Sequence, residues 1–397
     1  MKYRKMGSLD WEVSALGFGA MRLPTRMNNM LSRVKKKEAI KIIRSAIDQG
    51  VNYLDTAWPY HFGASEKIIG EALKDGYREK VILVTKSPVF IIRKLEDFDK
   101  YLHQQLERLQ VDNIDIYLFH GLSRNRFKKV VELGLIQKME EAKEKGLIKY
   151  IGFSFHDTLT VFKEIIDYYP WDVCQIQYNY MDTAIQATTE GLKYAAEKGI
   201  AIVIMEPLKG GQLANPPEEA LEIMKKSEKQ RSPVDWALQF LWNLPEVSVV
   251  ISGMGSQKMV DENCQSAARS GVNSLTKKEL ETINDLVSIY RKKILVPCTT
   301  CQYCQPCPSG VNIPENFALL NNYNIENGIR KWFTKRKYKH LVKNSREVNY
   351  EKPNGNATIC TRCNECLEKC PQSIQIPDEL RKVHAVLANN KDPSELF

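Results

Sequence analysis

Eight short β-rich runs recur along the first two-thirds of the chain, separated by longer stretches with helical periodicity. The pattern predicts strands at Ser14–Gly19, Tyr53–Asp55, Val81–Thr85, Ile114–Phe119, Tyr150–Ser154, Val173–Gln177, Ala201–Met205 and Val247–Ile251. The first intervening stretch, KKEAIKIIRSAIDQG, places apolar residues at i, i+3, i+4 and i+7 and ends on a glycine, which is a helix with its stop signal. Eight strand–helix units over roughly 280 residues suit one closed parallel barrel. The expected fold is therefore α/β, a TIM (β/α)8 barrel, with the residues before Ser14 forming a hairpin across its floor. Residues 1–290 are assigned to this domain.

The remaining residues, 291–397, follow another rule. CTTCQYCQPCPSGVNIP places Cys298, Cys301, Cys304 and Cys307 at three-residue steps, and CTRCNECLEKCPQSIQIP repeats the theme with Cys360, Cys363, Cys366 and Cys370. Of the ten cysteines, only Cys174 and Cys264 lie elsewhere, and each reads as a small buried apolar residue. C-x2-C-x2-C-x3-C-P is the ferredoxin spacing for a [4Fe–4S] cluster, in which the fourth cysteine serves the other cluster. The second copy fits it, and the first is one residue short before Pro308. The crossed rule assigns Cys298, Cys301, Cys304 and Cys370 to one cluster, and Cys360, Cys363, Cys366 and Cys307 to the other. Zinc is the competing metal, but structural zinc sites favour two separated cysteine pairs. A tail this short has little core of its own, so metal would staple it into a small, mainly helical, ferredoxin-like dicluster domain.

The N-terminus, MKYRKMGSLDWEV, lacks the apolar core of a signal peptide, and no apolar run approaches a membrane span. The expectation is a cytoplasmic protein with reduced thiols and no membrane partner. Part of the net charge of +9 lies in RKWFTKRKYKH, Arg330 to His340. That segment reads either as a solvated basic helix or as a docking patch for an acidic, ferredoxin- or flavodoxin-like electron carrier. No nucleic-acid motif accompanies it.

Chemistry-bearing residues gather at consecutive strand ends. NYLDTAWPYHFGASEKIIGEAL gives Asp55 and Tyr60, VILVTK gives Lys86, and IDIYLFH gives His120. Acid, phenol, amine and imidazole would converge on the C-terminal face, where barrel enzymes place their catalysis.

With LDTAWPY, VTK, LFH, IGFSFH, CQIQYNY and VDEN in this order and spacing, residues 1 to about 285 resemble an aldo-keto reductase. Together with the tail, the chain resembles the iron–sulfur-containing subfamily. The resemblance implies a small carbonyl substrate and hydride from a nicotinamide. Tyr60 would be the general acid, Lys86 would lower its pKa from about 10, Asp55 would hold Lys86, and His120 would orient the carbonyl. It implies cofactor contacts from Gly19, Met21 and Asp55, carboxamide contacts from Ser154 and Gln175, a pyrophosphate loop at Leu208, Lys209, Gly210 and Gly211, and adenine contacts from Glu262 and Asn263. Met205 stands where many members stack a tyrosine on the nicotinamide, and Phe155 follows Ser154 where asparagine is common. The cations that clamp a 2′-phosphate are missing near Gly253 and Met259, with Lys258 nearby. NADP(H), NAD(H) and a flavin thus stay open as cofactors. Trp58, His61 and Phe90 are expected to line the substrate pocket. Two further readings remain: a redox sensor that binds nucleotide without turnover, and an electron-transfer subunit of a larger complex.

Overall fold

The computed structural model describes residues 1–26, 33–326, 328–341, 348–349 and 353–397. An antiparallel hairpin, β1 (Tyr3–Met6) and β2 (Leu9–Ser14), comes first. β3 (Leu16–Gly19), β4 (Tyr53–Asp55), β5 (Ile82–Ser87), β6 (Ile114–Leu122), β7 (Ile148–Phe155), β8 (Val173–Gln177), β9 (Ala201–Met205) and β10 (Val247–Ser252) follow. β3 to β10 pair in chain order and β10 returns to β3, closing an eight-stranded parallel barrel. The expected TIM barrel is present.

Five of the eight strands differ in extent from the sequence expectation, and three of these differences bear on the hairpin and the site. The first predicted strand divides at Ala15, because Ser14 belongs to the hairpin. Its Oγ donates to the Leu16 carbonyl at 2.7 Å and its backbone N–H donates to Asn52 Oδ1 at 2.7 Å. β6 continues past Phe119 to Leu122, which pairs with Phe155 after a register irregularity. Consequently His120 lies inside a strand. Lys86, expected just past one, also lies inside β5, opposite Leu118.

The barrel has two apolar layers. Alternate side chains point inward, so Tyr53, Val84, Ile116, Leu118, Val203 and Val249 fill the interior, joined by Met6 and Val13 of the hairpin. The hairpin therefore closes the barrel floor with its own apolar residues. The opposite faces pack on the helices, with Ile43, Ile69, Leu102, Phe153, Phe162 and Trp242 among the fully buried residues. This alternation is what a strand buried on both faces requires.

Contacts group the chain into two units: Met1–Leu208 with Val234–Leu275, and Lys209–Pro233 with Thr276–Phe397. In the second unit the helix Lys277–Lys293 starts with a capping box between Thr276 and Glu279. Arg231 bonds Glu279 at 2.8 Å, and Lys293 bonds Glu219 at 2.7 Å. Four more helices, Ile313–Ile325, Ile329–His340, Glu365–Lys369 and Ile376–Leu387, build the tail. The Ile-Pro that ends each cysteine repeat opens a helix, with Pro314 and Pro377 in the first turn, where a missing N–H costs nothing. The core there is small: Val296, Phe317, Leu320, Tyr338, Leu380, Val383 and Val386 pack with Cys304 and Cys307. Among the described residues, no helix is long and apolar enough to cross a membrane.

Candidate active site and cysteine centre

Asp55 ends β4 and Lys86 lies near the end of the neighbouring β5, so their side chains meet inside the barrel mouth. Lys86 Nζ donates to Asp55 Oδ2 at 2.6 Å and to the Thr56 carbonyl at 2.8 Å. Lys86 is 1% exposed and Asp55 3%. Burial pushes the Asp55 carboxyl up and the Lys86 ammonium down, and each charge opposes the shift of the other. With the Thr56 carbonyl as a second acceptor, the ammonium form is the one this geometry satisfies.

Tyr60 follows on a tight turn, buried, with its ring centroid 5.1 Å from Lys86 Nζ. The chain then passes through three left-handed residues, His61, Phe62 and Gly63, at φ 51°, 57° and 83°. Two of these are not glycine, so the turn stores strain next to the phenol. The turn is anchored where Thr56 Oγ1 meets Ser65 Oγ at 2.8 Å, and Ser65 donates to the Ala20 carbonyl. The His120 ring stands edge-on to Tyr60, 6.0 Å away. Burial lowers the His120 pKa most, followed by the charges of Lys86, Arg126 and His156, so its imidazole is neutral at neutral pH. The four residues singled out from strand ends are thus brought together.

The expected cofactor residues distribute as follows. Ser154 Oγ accepts from the Gly121 N–H at 2.7 Å, which leaves its own proton to donate. Gln175 donates to Met205 Sδ at 3.8 Å, while its buried Oε1 has no hydrogen-bond partner. An orphaned buried carbonyl oxygen is costly, and it is the acceptor a ligand amide N–H would satisfy. Asn263 is buried and donates to Ser252 Oγ, whereas Glu262 is exposed and pairs with Lys258 at 3.7 Å. Gly19 packs on Ile251, and Met21 is half-buried beside it in the chain. Leu208 closes the first stretch of its unit. Lys209, Gly210 and Gly211, in the other unit, have φ of 47°, 67° and 98°. A Cβ on Gly210 would stand 2.1 Å from the Thr299 carbonyl oxygen, so only glycine fits there. Gln212 Nε2 donates to the Cys298 carbonyl at 2.7 Å.

Three groups escaped the sequence reading. Glu66, fully buried, accepts from Thr85 Oγ1 at 2.8 Å, from Gln105 Nε2 at 2.5 Å and from Arg108 at 3.1 Å, and Gln105 also reaches the Lys86 carbonyl. This network braces the strand that carries Lys86. Arg108 also stacks on Trp58 at 3.6 Å, so Trp58 is held from behind, while Phe90 stands 6.0 Å from His120. Arg22 lies against Gly253, where an added Cβ would come 3.0 Å from the Arg22 Cβ. A cation therefore stands beside a position that the sequence reading left without one. Arg126 and His156 flank His120, and only their charge type was a clue. A cleft of about 700 Å³ opens at the opposite end of the strands, lined by Asn52, Arg78, Asp115 and Lys149. Asp115 is paired there with both cations, and the cleft holds none of the four residues above. At the N-terminal face of a barrel such pairs serve stability.

In the tail, the cysteines of the two repeats lie near one another. Burial raises the Cys304 thiol most, followed by neighbouring Cys301, Cys298, Cys370 and Cys366. Cys366 is pushed up to about 11 by burial first, with Cys307, Cys360 and Cys363 as its charged neighbours. Cys360 likewise feels Cys307 and Cys363. Backbone N–H groups of Gln372, Ser373 and Ile374 point at Cys370, and Thr300 N–H lies 3.5 Å from Cys298 Sγ. N–H donors around sulfur favour thiolates. Among the described residues no three His, Cys, Asp or Glu side chains converge on a single ion. A cubane asks for something else, one thiolate on each of four irons.

The fold and these two centres define a (β/α)8-barrel oxidoreductase carrying an iron–sulfur module. Residues 15–288 match the aldo/keto reductase family and residues 297–376 match a 4Fe-4S dicluster domain; the chain belongs to the aldo/keto reductase family. It is 28% identical over 311 residues to L-galactose dehydrogenase of Arabidopsis thaliana, covering 71% of this chain and 94% of that protein. It is 31% identical over 232 residues to the NADH-specific methylglyoxal reductase of Escherichia coli, covering 54% and 69%. Among solved structures, an aldo-keto reductase from Bacillus halodurans in its holo form superposes with a TM-score of 0.60 at 28% identity, over 72% of this chain and 96% of that one.

Proposed function

We propose that the chain reduces an aldehyde or ketone with a nicotinamide nucleotide, NADPH or NADH, and by microscopic reversibility oxidises the corresponding alcohol. The observation that carries this reading is the buried Lys86–Asp55 pair, with Lys86 Nζ 5.1 Å from the Tyr60 ring and the neutral His120 ring 6.0 Å from that ring. When bound, the nicotinamide supplies hydride to the carbonyl carbon. Tyr60 donates its proton to the carbonyl oxygen, and the Lys86 charge stabilises the phenolate that results. Asp55 fixes Lys86, and the Glu66 network fixes the strand beneath it. His120, uncharged, orients the carbonyl through a ring nitrogen. Gln175 Oε1 and Ser154 Oγ offer an acceptor and a donor for the nicotinamide carboxamide. One relative is named for NADH and one for dehydrogenation, in keeping with either nucleotide and either direction. Nothing supports a flavin.

The eight cluster cysteines are proposed to hold two [4Fe–4S] clusters that exchange single electrons with an acidic carrier protein. The helix Ile329–His340 supports such a partner. It turns Lys331, Thr334, Lys335 and Tyr338 inward, while Ile329, Trp332 and Phe333 are 72%, 54% and 56% exposed among Arg330, Arg336 and Lys339. An apolar centre ringed by cations matches an acidic surface. The test of the catalytic reading is Tyr60→Phe. Loss of carbonyl reduction with nucleotide affinity intact supports it. Unchanged turnover sinks Tyr60 as the proton donor, whereas nucleotide binding with no carbonyl turnover in the wild type favours the nucleotide-binding sensor.

A further inference from the structure

We propose that the carbonyl substrate carries a carboxylate, and that Arg126 receives it at the mouth of the barrel. The inference rests on the carbonyl-reducing reading above and names its substrate class.

Arg126 is half-buried in the helix Arg124–Glu132, which starts just after β6 delivers His120. Its position is built. Nη1 donates to the Gly121 carbonyl at 2.8 Å, and Gly121 has a φ of 63°. A Cβ on Gly121 would stand 2.8 Å from Arg126 Nη1 and 3.7 Å from His156 Cδ2. A glycine directly after the catalytic histidine thus makes room for the guanidinium to cross the backbone beside it. The same cation lies 5.9 Å from the ring of Phe90, which is 43% exposed and stands 6.0 Å from His120. His120 in turn is 6.0 Å from Tyr60. Phenol, imidazole, apolar ring and guanidinium form a continuous series from the proton donor outward.

Two permanent cations act on His120. Lys86 and Arg126 both lower its pKa. Lys86 is paired with Asp55, which leaves Arg126 as the cation of the outer mouth. Arg126 and Arg93 act the same way on Lys129, against Asp97. The carboxylates of these loops are engaged with backbone: Asp97 accepts from the Arg93 and Lys94 N–H groups, and Asp157 from those of Arg124 and Thr158. A half-buried cation attracts anions more strongly than one fully in water. A guanidinium presents its donors in a fork that matches a carboxylate. In the reaction, the carbonyl carbon takes hydride and its oxygen takes the Tyr60 proton. The product is a hydroxy acid whose carboxylate is unchanged.

The test compares two aldehydes of nearly equal shape on the holoprotein, 4-carboxybenzaldehyde and 4-formylbenzamide. A charge-assisted contact predicts that kcat/KM favours the carboxylate by about tenfold to a hundredfold, mainly through KM. In Arg126→Met the preference should collapse towards one, and Arg126→Lys should keep part of it. Should Arg126→Met fail to fold, Arg126→Lys together with the salt dependence of the wild-type ratio decides: the ratio must fall as ionic strength rises. Equal use of both aldehydes by the wild type, or a preference that survives in Arg126→Met, overturns the carboxylate inference and leaves carbonyl reduction standing. Turnover of neither aldehyde with NADPH or NADH overturns both.

Discussion

Replacing Lys86 by methionine separates the two roles that its charge plays. Asp55, 3% exposed, would be left as a buried acid with its ammonium partner gone. Stranding a buried charge costs about 3–5 kcal/mol of stability. The rate should fall for a different reason. A unit charge 5.1 Å from the Tyr60 ring stabilises a developing phenolate by about 3 kcal/mol at an effective dielectric of about 20. That corresponds to a loss of about two hundredfold in kcat. The double variant Asp55→Asn/Lys86→Met removes the stranded charge but not the need for one beside Tyr60. It should recover most of the stability and none of the rate. Anaerobic urea unfolding measures the first and nicotinamide absorbance with 4-formylbenzamide the second. Turnover within about threefold of wild type in Lys86→Met, or restored turnover in the double variant, would refute the electrostatic argument.

Gln175→Leu removes the orphaned Oε1, so nucleotide affinity should drop about tenfold while the nucleotide-free protein becomes no less stable; fluorescence titration and urea melts check both. His156, pushed down to about 4 by burial, binds its proton more readily in the unfolded chain, where its pKa is about 6.5. Its contribution to stability is therefore complete above that pH and is lost as pH falls from 6.5 towards 4. In His156→Gln that part of the pH dependence should vanish from unfolding midpoints. Cys370→Ser should weaken the cluster held by Cys298, Cys301 and Cys304 and spare the one held by Cys360, Cys363 and Cys366. EPR of the reduced protein should then show one altered and one native signal, whereas an unaltered first cluster would sink the crossed assignment.

The barrel was legible because its strands are continuous apolar runs, and a strand buried on both faces cannot be written otherwise. Asp55, Lys86 and His120 were legible because each interrupts such a run near its C-terminal end. The split at Ala15 was not, since it depends on Asn52, nearly forty residues away, bonding the Ser14 N–H. The Glu66, Gln105 and Arg108 network was hidden for the same reason: each looks like an ordinary helix residue until the helices pack. Arg22 and Arg126 carry no local signature, because what makes them notable is the glycine each lies against. In the tail a mainly helical domain was expected, but the Ile-Pro that ends each repeat was not read as the helix start it is. The basic segment announced its charge but not that its helix would face Trp332 and Phe333 outward, which packing on Tyr338 and Thr334 decides.

The central claim is direct hydride transfer to a carbonyl carbon with Tyr60 supplying the proton. It is tested by single-turnover mixing, under anaerobic conditions, of the iron-loaded protein with 4-deuterated nicotinamide, both stereoisomers in turn, and 4-carboxybenzaldehyde, with mass spectrometry of the alcohol. Deuterium on the carbinol carbon from one stereoisomer, absent in Tyr60→Phe, is the predicted result. Oxidised nicotinamide, bleached clusters and an alcohol free of deuterium would contradict it and place the reduction on the one-electron path.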